Sequence, residues 1–268
     1  MESGQHDWQA DLELIRRAAT EAGEVAHSFF GRSPEVWWKN EGRSPVSAAD
    51  FAANERLEKL LITARPHYGW LSEETDDDNA RLSHETLFVV DPIDGTRAFI
   101  AGERTWCVSV AVVHQGRPVA GVLVAPALDE EFYACVDGPA LMNGDLISVS
   151  RPDPSLPLTL AIAEDLLRKL PAAQTQAVRR VRHVPSLAYR LALTADGRID
   201  GTIVKKNSHD WDLAAADIIL QRAGGKLLDS AGHPLVYNRK SVKHGMLYAG
   251  AGPALDKLSR FMPDEPTD

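Results

Sequence analysis

The chain is short of the residues that staple small proteins together: among its 268 residues only Cys107 and Cys135 are cysteines. Two thiols are too few for a disulfide framework and lack the paired spacing of a thiolate zinc site, so both are read as core residues. Positive charge is in deficit too, with 29 Lys and Arg against 38 Asp and Glu and a formal net charge of -9. That balance excludes a broad footprint for a nucleic-acid polymer, whose binding depends on neutralising many backbone phosphates. Long apolar runs are absent: none approaches the roughly 20 residues that span a bilayer, so no membrane partner is expected. The first residues, Met1 to Asp11, have neither the basic start nor the apolar stretch of a secretory signal, which makes a cytoplasmic location the expectation.

What is present is ordinary globular composition, 44% hydrophobic and 25% charged, enough for one large domain or two intimate subdomains. Leu12, Ile15, Ala18, Ala19, Ala22, Val25, Ala26 and Phe29 recur at helical spacing, and Gly31 with Pro34 closes that helix. Val36–Lys39 reads as a short strand before the turn signal Glu41-Gly42-Arg43-Ser44-Pro45. Ser47-Ala48-Ala49-Asp50 has the form of a capping box, Ser47 as N-cap and Asp50 at N3, opening a helix to about Arg65. Leu87-Phe88-Val89-Val90 is a compact strand, residues 106–114 and 118–125 flank a hairpin turn at Gln115-Gly116-Arg117, and residues 131–136 add a third antiparallel strand. Beyond Asn143-Gly144, apolar segments at 159–163, 181–184 and 201–204 alternate with helical ones at 164–170, 186–195 and 211–223, a pattern of α/β layering. Prolines cluster at 148–157, which sets the expected division into an N-terminal α+β part, 1–147, and a C-terminal α/β part, 148–268. The tail from Pro263 is expected to be loose.

Chemistry concentrates at Asp91-Pro92-Ile93-Asp94-Gly95-Thr96, two carboxylates at the carboxyl end of a strand, where α/β proteins place their ligands. Oxygen ligands on a tight turn suit Mg²⁺ or Mn²⁺. The backbone N–H groups of Gly95 and Thr96, at the start of a short helix, are placed to receive phosphate. A plain strand-to-helix turn with a capping aspartate is the competing reading. A haloacid-dehalogenase-type nucleophile is excluded because Pro92 stands two residues before Asp94, and an EF-hand fails because its twelfth position is Gly102. Ser72-Glu73-Glu74 places two further acids after the apolar Tyr68-Gly69-Trp70-Leu71, and the run Asp76-Asp77-Asp78 reads as a solvated loop. Asp212 opens an alanine-rich helix, as a ligand or as a group that merely complements the helix dipole; Trp211 anchors that helix by burial, and His209 reads as a capping residue rather than a ligand.

In their order, Val46-Ser47-Ala48-Ala49-Asp50, Ser72-Glu73-Glu74, Asp91-Pro92-Ile93-Asp94-Gly95-Thr96-Arg97-Ala98-Phe99 and Trp211-Asp212-Leu213-Ala214-Ala215-Ala216 through Ala223-Gly224-Gly225 resemble the inositol monophosphatase superfamily, over residues 12–249. The resemblance implies an α/β fold of layered α-β-α-β-α type and a Mg²⁺-dependent phosphomonoesterase with two or three ions per site, Mn²⁺ able to substitute. It implies Glu73, Asp91 and the carbonyl of Ile93 as ligands of the first ion and Asp91, Asp94 and Asp212 as ligands of the second. A third ion is implied near Glu73, held largely by water. Asp50 and Thr96 match the pair that orients and deprotonates the attacking water. Inhibition by Li⁺ is implied too, and since members of the superfamily often form dimers, a homodimer is an expectation of the same kind.

The substrate side departs from the inositol phosphatases. Seven residues before Asp212, where they carry a glutamate that contacts inositol hydroxyls, this chain has Lys205. A cation in place of an anion fits an additional phosphate. Pro185-Ser186-Leu187-Ala188-Tyr189 is similar to the Ser-Leu-Lys-Phe segment of the bisphosphate nucleotidases, with Ala188 in place of the lysine. The sequence therefore favours a 3'(2'),5'-bisphosphate nucleotidase acting on adenosine 3',5'-bisphosphate, with Lys205 and Ser186 as specificity residues. An inositol-1-phosphatase or another sugar phosphatase is the alternative, and a non-catalytic metal- or phosphate-binding protein is the alternative of a different class.

Overall fold

The computed structural model describes residues 6–32, 35–39 and 44–261. Pro34, Glu41, Gly42, Arg43 and the tail from Pro263 lie outside them. Helix α1 (Trp8–Phe29) buries Leu12, Ile15, Ala18, Ala19, Ala22 and Ala26, the stripe that its spacing predicts. The antiparallel ribbon β1 (Val36–Lys39) and β2 (Ser44–Ser47) leads directly into α2 (Ala48–Ala64), where Asp50 accepts from the Ser47 N–H at 2.8 Å, the reciprocal arm of a capping box.

A seven-stranded sheet follows, in spatial order β3 (Gly69–Ser72), β4 (Thr86–Asp94), β5 (Cys107–His114), β6 (Arg117–Ala125), β7 (Glu130–Cys135), β8 (Leu141–Met142) and β9 (Asp145–Leu146). The short helix α3 (Thr96–Ile100) lies between β4 and β5. All neighbours are antiparallel except β3 and β4. Because strand side chains alternate, Leu87 and Val89 enter one core while Phe88 and Val90 enter another, packed under α1 and α2.

The rest of the chain is β10 (Leu158–Ala161), α4 (Glu164–Leu167), α5 (Ala172–Gln176), β11 (Val178–Arg180), α6 (Leu187–Ala195), β12 (Gly201–Val204), α7 (Asp210–Arg222), β13 (Lys226–Asp229), β14 (Leu247–Gly250) and α8 (Gly252–Ser259). Its five strands form one mixed sheet in the order β11-β10-β12-β14-β13. Helices α6 and α7 lie between the two sheets, and their core mixes Leu87, Val89 and Leu123 of the larger sheet with Leu213, Ile219, Leu227 and Leu247. Helix α8 covers the outer face of the smaller sheet through Ala254 and Leu258. The layers run α-β-α-β-α, as the resemblance implies. One segment differs: the strand expected at 181–184 sits at Val178–Arg180, paired with β10, and the following residues leave the sheet to carry His183 and Pro185 to the site described below.

The contact between α7 and the larger sheet is close because β6 has glycine there. A Cβ added at Gly121 would lie 2.6 Å from Ile218 Cγ2 and 2.7 Å from the carbonyl oxygen of Ala215. Both belong to α7. Gly121→Ala is therefore expected to lower the unfolding free energy by about 1–3 kcal/mol, the usual cost of overpacking, measured by urea titration of the two proteins.

Candidate active site

The bond pattern of β4 explains where the acids point. Asp91 continues the face of Leu87 and Val89, toward α6 and α7, and the pairing with β5 shifts register between Asp91 and Asp94. That irregularity brings a second carboxylate to the same side. Asp212 arrives from the first turn of α7, and ligand oxygens of Asp91, Asp94 and Asp212 lie within 4.8 Å of one another. Each is held by protein groups: the Ile93 N–H donates to Asp91 Oδ1 at 3.0 Å, the His209 N–H to Asp212 Oδ2 at 2.7 Å, and the Ser186 hydroxyl and Ala188 N–H to Asp94 Oδ2 at 2.5 and 2.6 Å.

Around the cluster opens a cavity of about 440 Å³ lined by Glu73, Gly95, Thr96, Arg97, Glu103, His183 and the three aspartates, among others. Glu73 enters from the turn after β3, with its N–H on the Val90 carbonyl at 3.2 Å. Gly95 turns the chain at φ +95°, and a side chain there would meet the Thr105 carbonyl oxygen and Ser186 Cβ at 3.2 Å. Glycine answers both demands. Thr96 Oγ1 lies 3.0 Å from the Ile93 carbonyl oxygen and 3.2 Å from Asp50 Oδ1. Asp50 is itself buried behind Thr96, with Oδ2 accepting from the Ser47 hydroxyl at 2.6 Å.

Crowded acids resist ionisation. Burial, then the charge of Asp212, pushes the Asp94 carboxyl up to about 7, against the opposing hydrogen bonds from Ser186 and the backbone. Burial, then Glu73, Asp94, Asp212 and Asp50, pushes Asp91 well above the usual carboxylate range. Like charges gathered in a buried, all-oxygen donor set are the electrostatic signature of a site for a hard divalent cation. Mg²⁺ fits these residues.

Every acid singled out in the sequence for the site, Asp50, Glu73, Asp91, Asp94 and Asp212, reaches it or stands directly behind it. The two specificity residues are placed differently. Lys205 is half-exposed, binds Asp165 at 2.7 Å and is not among the residues lining the cavity, although its charge acts on His183. Ser186 caps α6, accepting from the Tyr189 N–H at 3.1 Å, and spends its hydroxyl on Asp94. His209 caps α7, as expected, and stacks on Trp211 at 4.6 Å. The Asp76-Asp77-Asp78 run is exposed, as expected, and Asp77 in addition pairs with the buried Arg81. His183 and Glu103 were missed: neither belongs to a motif, and only the path of the chain after β11 and α3 brings them to the wall.

A five-layer α-β-α-β-α fold with a carboxylate cluster on a register-shifted strand end defines a metal-dependent hydrolase of phosphate esters. The chain belongs to the inositol monophosphatase family, which residues 7–257 match. It is 34% identical over 251 residues to a glucose-1-phosphate thymidylyltransferase of Streptomyces griseus, covering 90% of this chain and 96% of the relative. It is 30% identical to the 3'(2'),5'-bisphosphate nucleotidase CysQ of Aggregatibacter actinomycetemcomitans, covering 85% and 88%. Among solved structures, an IMPase from Thermotoga maritima superposes with a TM-score of 0.83 at 26% identity, covering 94% and 96% of the two chains. As a family member the chain is a metal-dependent phosphatase that hydrolyses phosphomonoesters of small molecules.

The sign of the pH effect follows from Asp94. A carboxyl whose folded pKa stands above its unfolded value binds more protons in the native state, so the cation-free protein loses stability as pH rises between the unfolded value of 3.8 and the folded value of about 7. Thermal melts in EDTA are expected to show falling Tm across that window, with Mg²⁺ restoring Tm most at the upper end; a Mg²⁺ effect independent of pH would contradict the crowding account.

Proposed function

We propose that the chain is a cytoplasmic Mg²⁺-dependent 3'(2'),5'-bisphosphate nucleotidase whose favoured substrate is adenosine 3',5'-bisphosphate. The observation behind the substrate reading is the mixed lining of the cavity: Arg97 and His183 share it with Glu73, Glu103 and the three aspartates, and burial, then the charges of Arg190 and Arg180 from outside the lining, hold His183 below its ordinary pKa against the opposing charge of Glu103. A substrate that presents one phosphoryl group to the acid cluster and a second anionic group toward Arg97 and His183 suits such a lining. The 30%-identical nucleotidase is consistent with that reading.

In this reading residues 1–147 supply most of the cation ligands and 148–268 contribute Asp212. Glu73, Asp91 and the Ile93 carbonyl would hold one ion, Asp91, Asp94 and Asp212 would hold a second, and a third would be held near Glu73, with Mn²⁺ able to substitute. Divalent cations, when bound, supply Lewis acidity that acidifies water and offsets phosphoryl and leaving-group charge. The protein's own part is orientation and proton handling. Thr96 Oγ1 accepts from the attacking water and passes its own proton to Asp50 Oδ1, 3.2 Å away, while the Ser47 N–H and hydroxyl on Oδ2 keep that carboxylate aimed. Backbone N–H groups of Gly95 and Thr96 meet the transferring phosphoryl oxygens. Ser186 acts through Asp94, holding it in place. A homodimer is part of this proposal, in keeping with the habit of the superfamily.

Asp94→Asn is expected to abolish turnover, by 10³-fold or more on the order of a lost electrostatic group, in a protein whose circular dichroism is unchanged. Initial rates with Mg²⁺ on adenosine 3',5'-bisphosphate, inositol-1-phosphate and fructose-1,6-bisphosphate rank the substrates: the bisphosphate nucleotide should lead in kcat/KM and its hydrolysis should be inhibited by Li⁺. A lead for inositol-1-phosphate would move the assignment to the inositol phosphatases, and no phosphate release with any divalent ion would move it to a binding protein.

A further inference from the structure

A buried guanidinium links the two segments that carry acids into the site from opposite halves of the chain. Arg81, on the 3-10 turn Ala80–Ser83, has a side chain with 0% exposure. One edge of it grips Asp77, four residues after Glu73, with Nε 3.0 Å from both carboxylate oxygens and Nη2 2.7 Å from Oδ2. The other edge reaches across the fold: Nη1 donates to Asn238 Oδ1 at 2.7 Å and to the Arg239 carbonyl at 3.0 Å. Asn238 donates its N–H to Asp210 Oδ2 at 2.8 Å, and His244 Nε2 meets Asp210 Oδ1 at 2.7 Å. Asp210, fully buried, is the first residue of α7 and stands two residues before Asp212.

The first turn of a helix is where this matters. Its initial N–H groups have no partner within the helix, so its position depends on what grips the cap from outside. Here the 238–244 segment does so, through Asp210 and through the Asp210 N–H on the Val242 carbonyl at 3.0 Å and the His244 N–H on the Ser208 carbonyl at 2.9 Å. Arg81 in turn anchors that segment to the loop that follows Glu73. A planar fork is needed, since one charged group must satisfy a carboxylate on one edge and an amide and a carbonyl on the other. The acidic run that the sequence places in solvent thus has one member with an inward task, and Arg81 keeps its carboxyl below the usual range.

We propose that Arg81 is a positioning residue of the cation site: by clamping the loop after Glu73 to the residues that hold the N-terminus of α7, it sets Asp212 at the distance from Asp91 and Asp94 that a divalent ion requires. The inference rests on the reading of Asp212 as a cation ligand.

The test is calorimetric titration of the full chain with Mn²⁺ alone, free of substrate. Arg81→Met, folded by circular dichroism, is expected to bind Mn²⁺ about 10-fold or more weaker, in the range seen when outer-shell partners of metal ligands are removed. Its kcat at saturating Mg²⁺ should fall much less than its half-saturating Mg²⁺ concentration rises, a split that a general loss of structure would not give. Arg81→Lys, which can satisfy one edge only, should fall between. As a comparison, Arg16→Met breaks a pair with Glu131 on the α1 side of the larger sheet and should leave Mn²⁺ affinity within about twofold. A folded Arg81→Met that binds Mn²⁺ like the parent overturns the proposal. Should that variant fail to fold, Asn238→Gly keeps the positive φ of 56° while removing the side-chain link; weaker Mn²⁺ binding supports the clamp and parental binding overturns it. A parent chain that binds no Mn²⁺ would sink the cation reading itself, a result separable from the others because it needs no variant.

Discussion

Repulsion among carboxylates is the constraint around which this molecule is arranged. Two unit charges at the 4.8 Å that bounds the Asp91, Asp94 and Asp212 oxygens repel by on the order of 3 kcal/mol at an effective dielectric of about 20. Left to themselves the side chains would swing apart. They are prevented by short, directed bonds from the surrounding backbone and from Ser186, and by a strand whose register slips between the first two acids. The scaffold thus maintains an arrangement that is unfavourable without a counter-charge, and in the function proposed above the cation that would supply it would also meet the phosphate. Site strain and function share one cause, which is the usual reason why locally unfavourable geometry persists in a folded protein.

Much of that arrangement was legible in the sequence because it is local. The capping box at Ser47 and Asp50, the apolar strand feeding Asp91 and the alanine-rich helix behind Asp212 are each encoded within a few residues, and periodicity reports them. What escaped was non-local or short. Strands β13 and β14 and helix α8 are brief segments whose identity comes from pairing and packing with distant parts of the chain, and β11 sits three residues earlier than its apolar content suggests because β10 sets the register. At the site itself, the type of residue was a better guide than its direction. Lys205 has the charge suited to a second anion, yet its ammonium is bound to Asp165; Ser186 lies in a segment similar to a nucleotidase motif, yet its hydroxyl serves Asp94. Side-chain direction depends on rotamers and neighbours that no linear motif contains.

The acidic loop shows the same limit from the other side. Three consecutive aspartates read as solvent-seeking, and all three are exposed, but Asp77 also pairs with a guanidinium that has no access to water. The pairing partner lies only four residues along. A charge run informs about its average environment and leaves the exceptional member to be found in three dimensions.

Helix α7 occupies the layer between the two sheets and gives its side chains to a hydrophobic cluster drawn from both. A shared structural wedge of this kind fuses the two halves through one interior, although each also keeps a cluster of its own, one under α1 and α2 and one under α8. A divalent ion held by the acid cluster at the tip of that wedge would favour the folded form by mass action, so that resistance to heat and proteolysis would rise with the divalent-ion level around the protein.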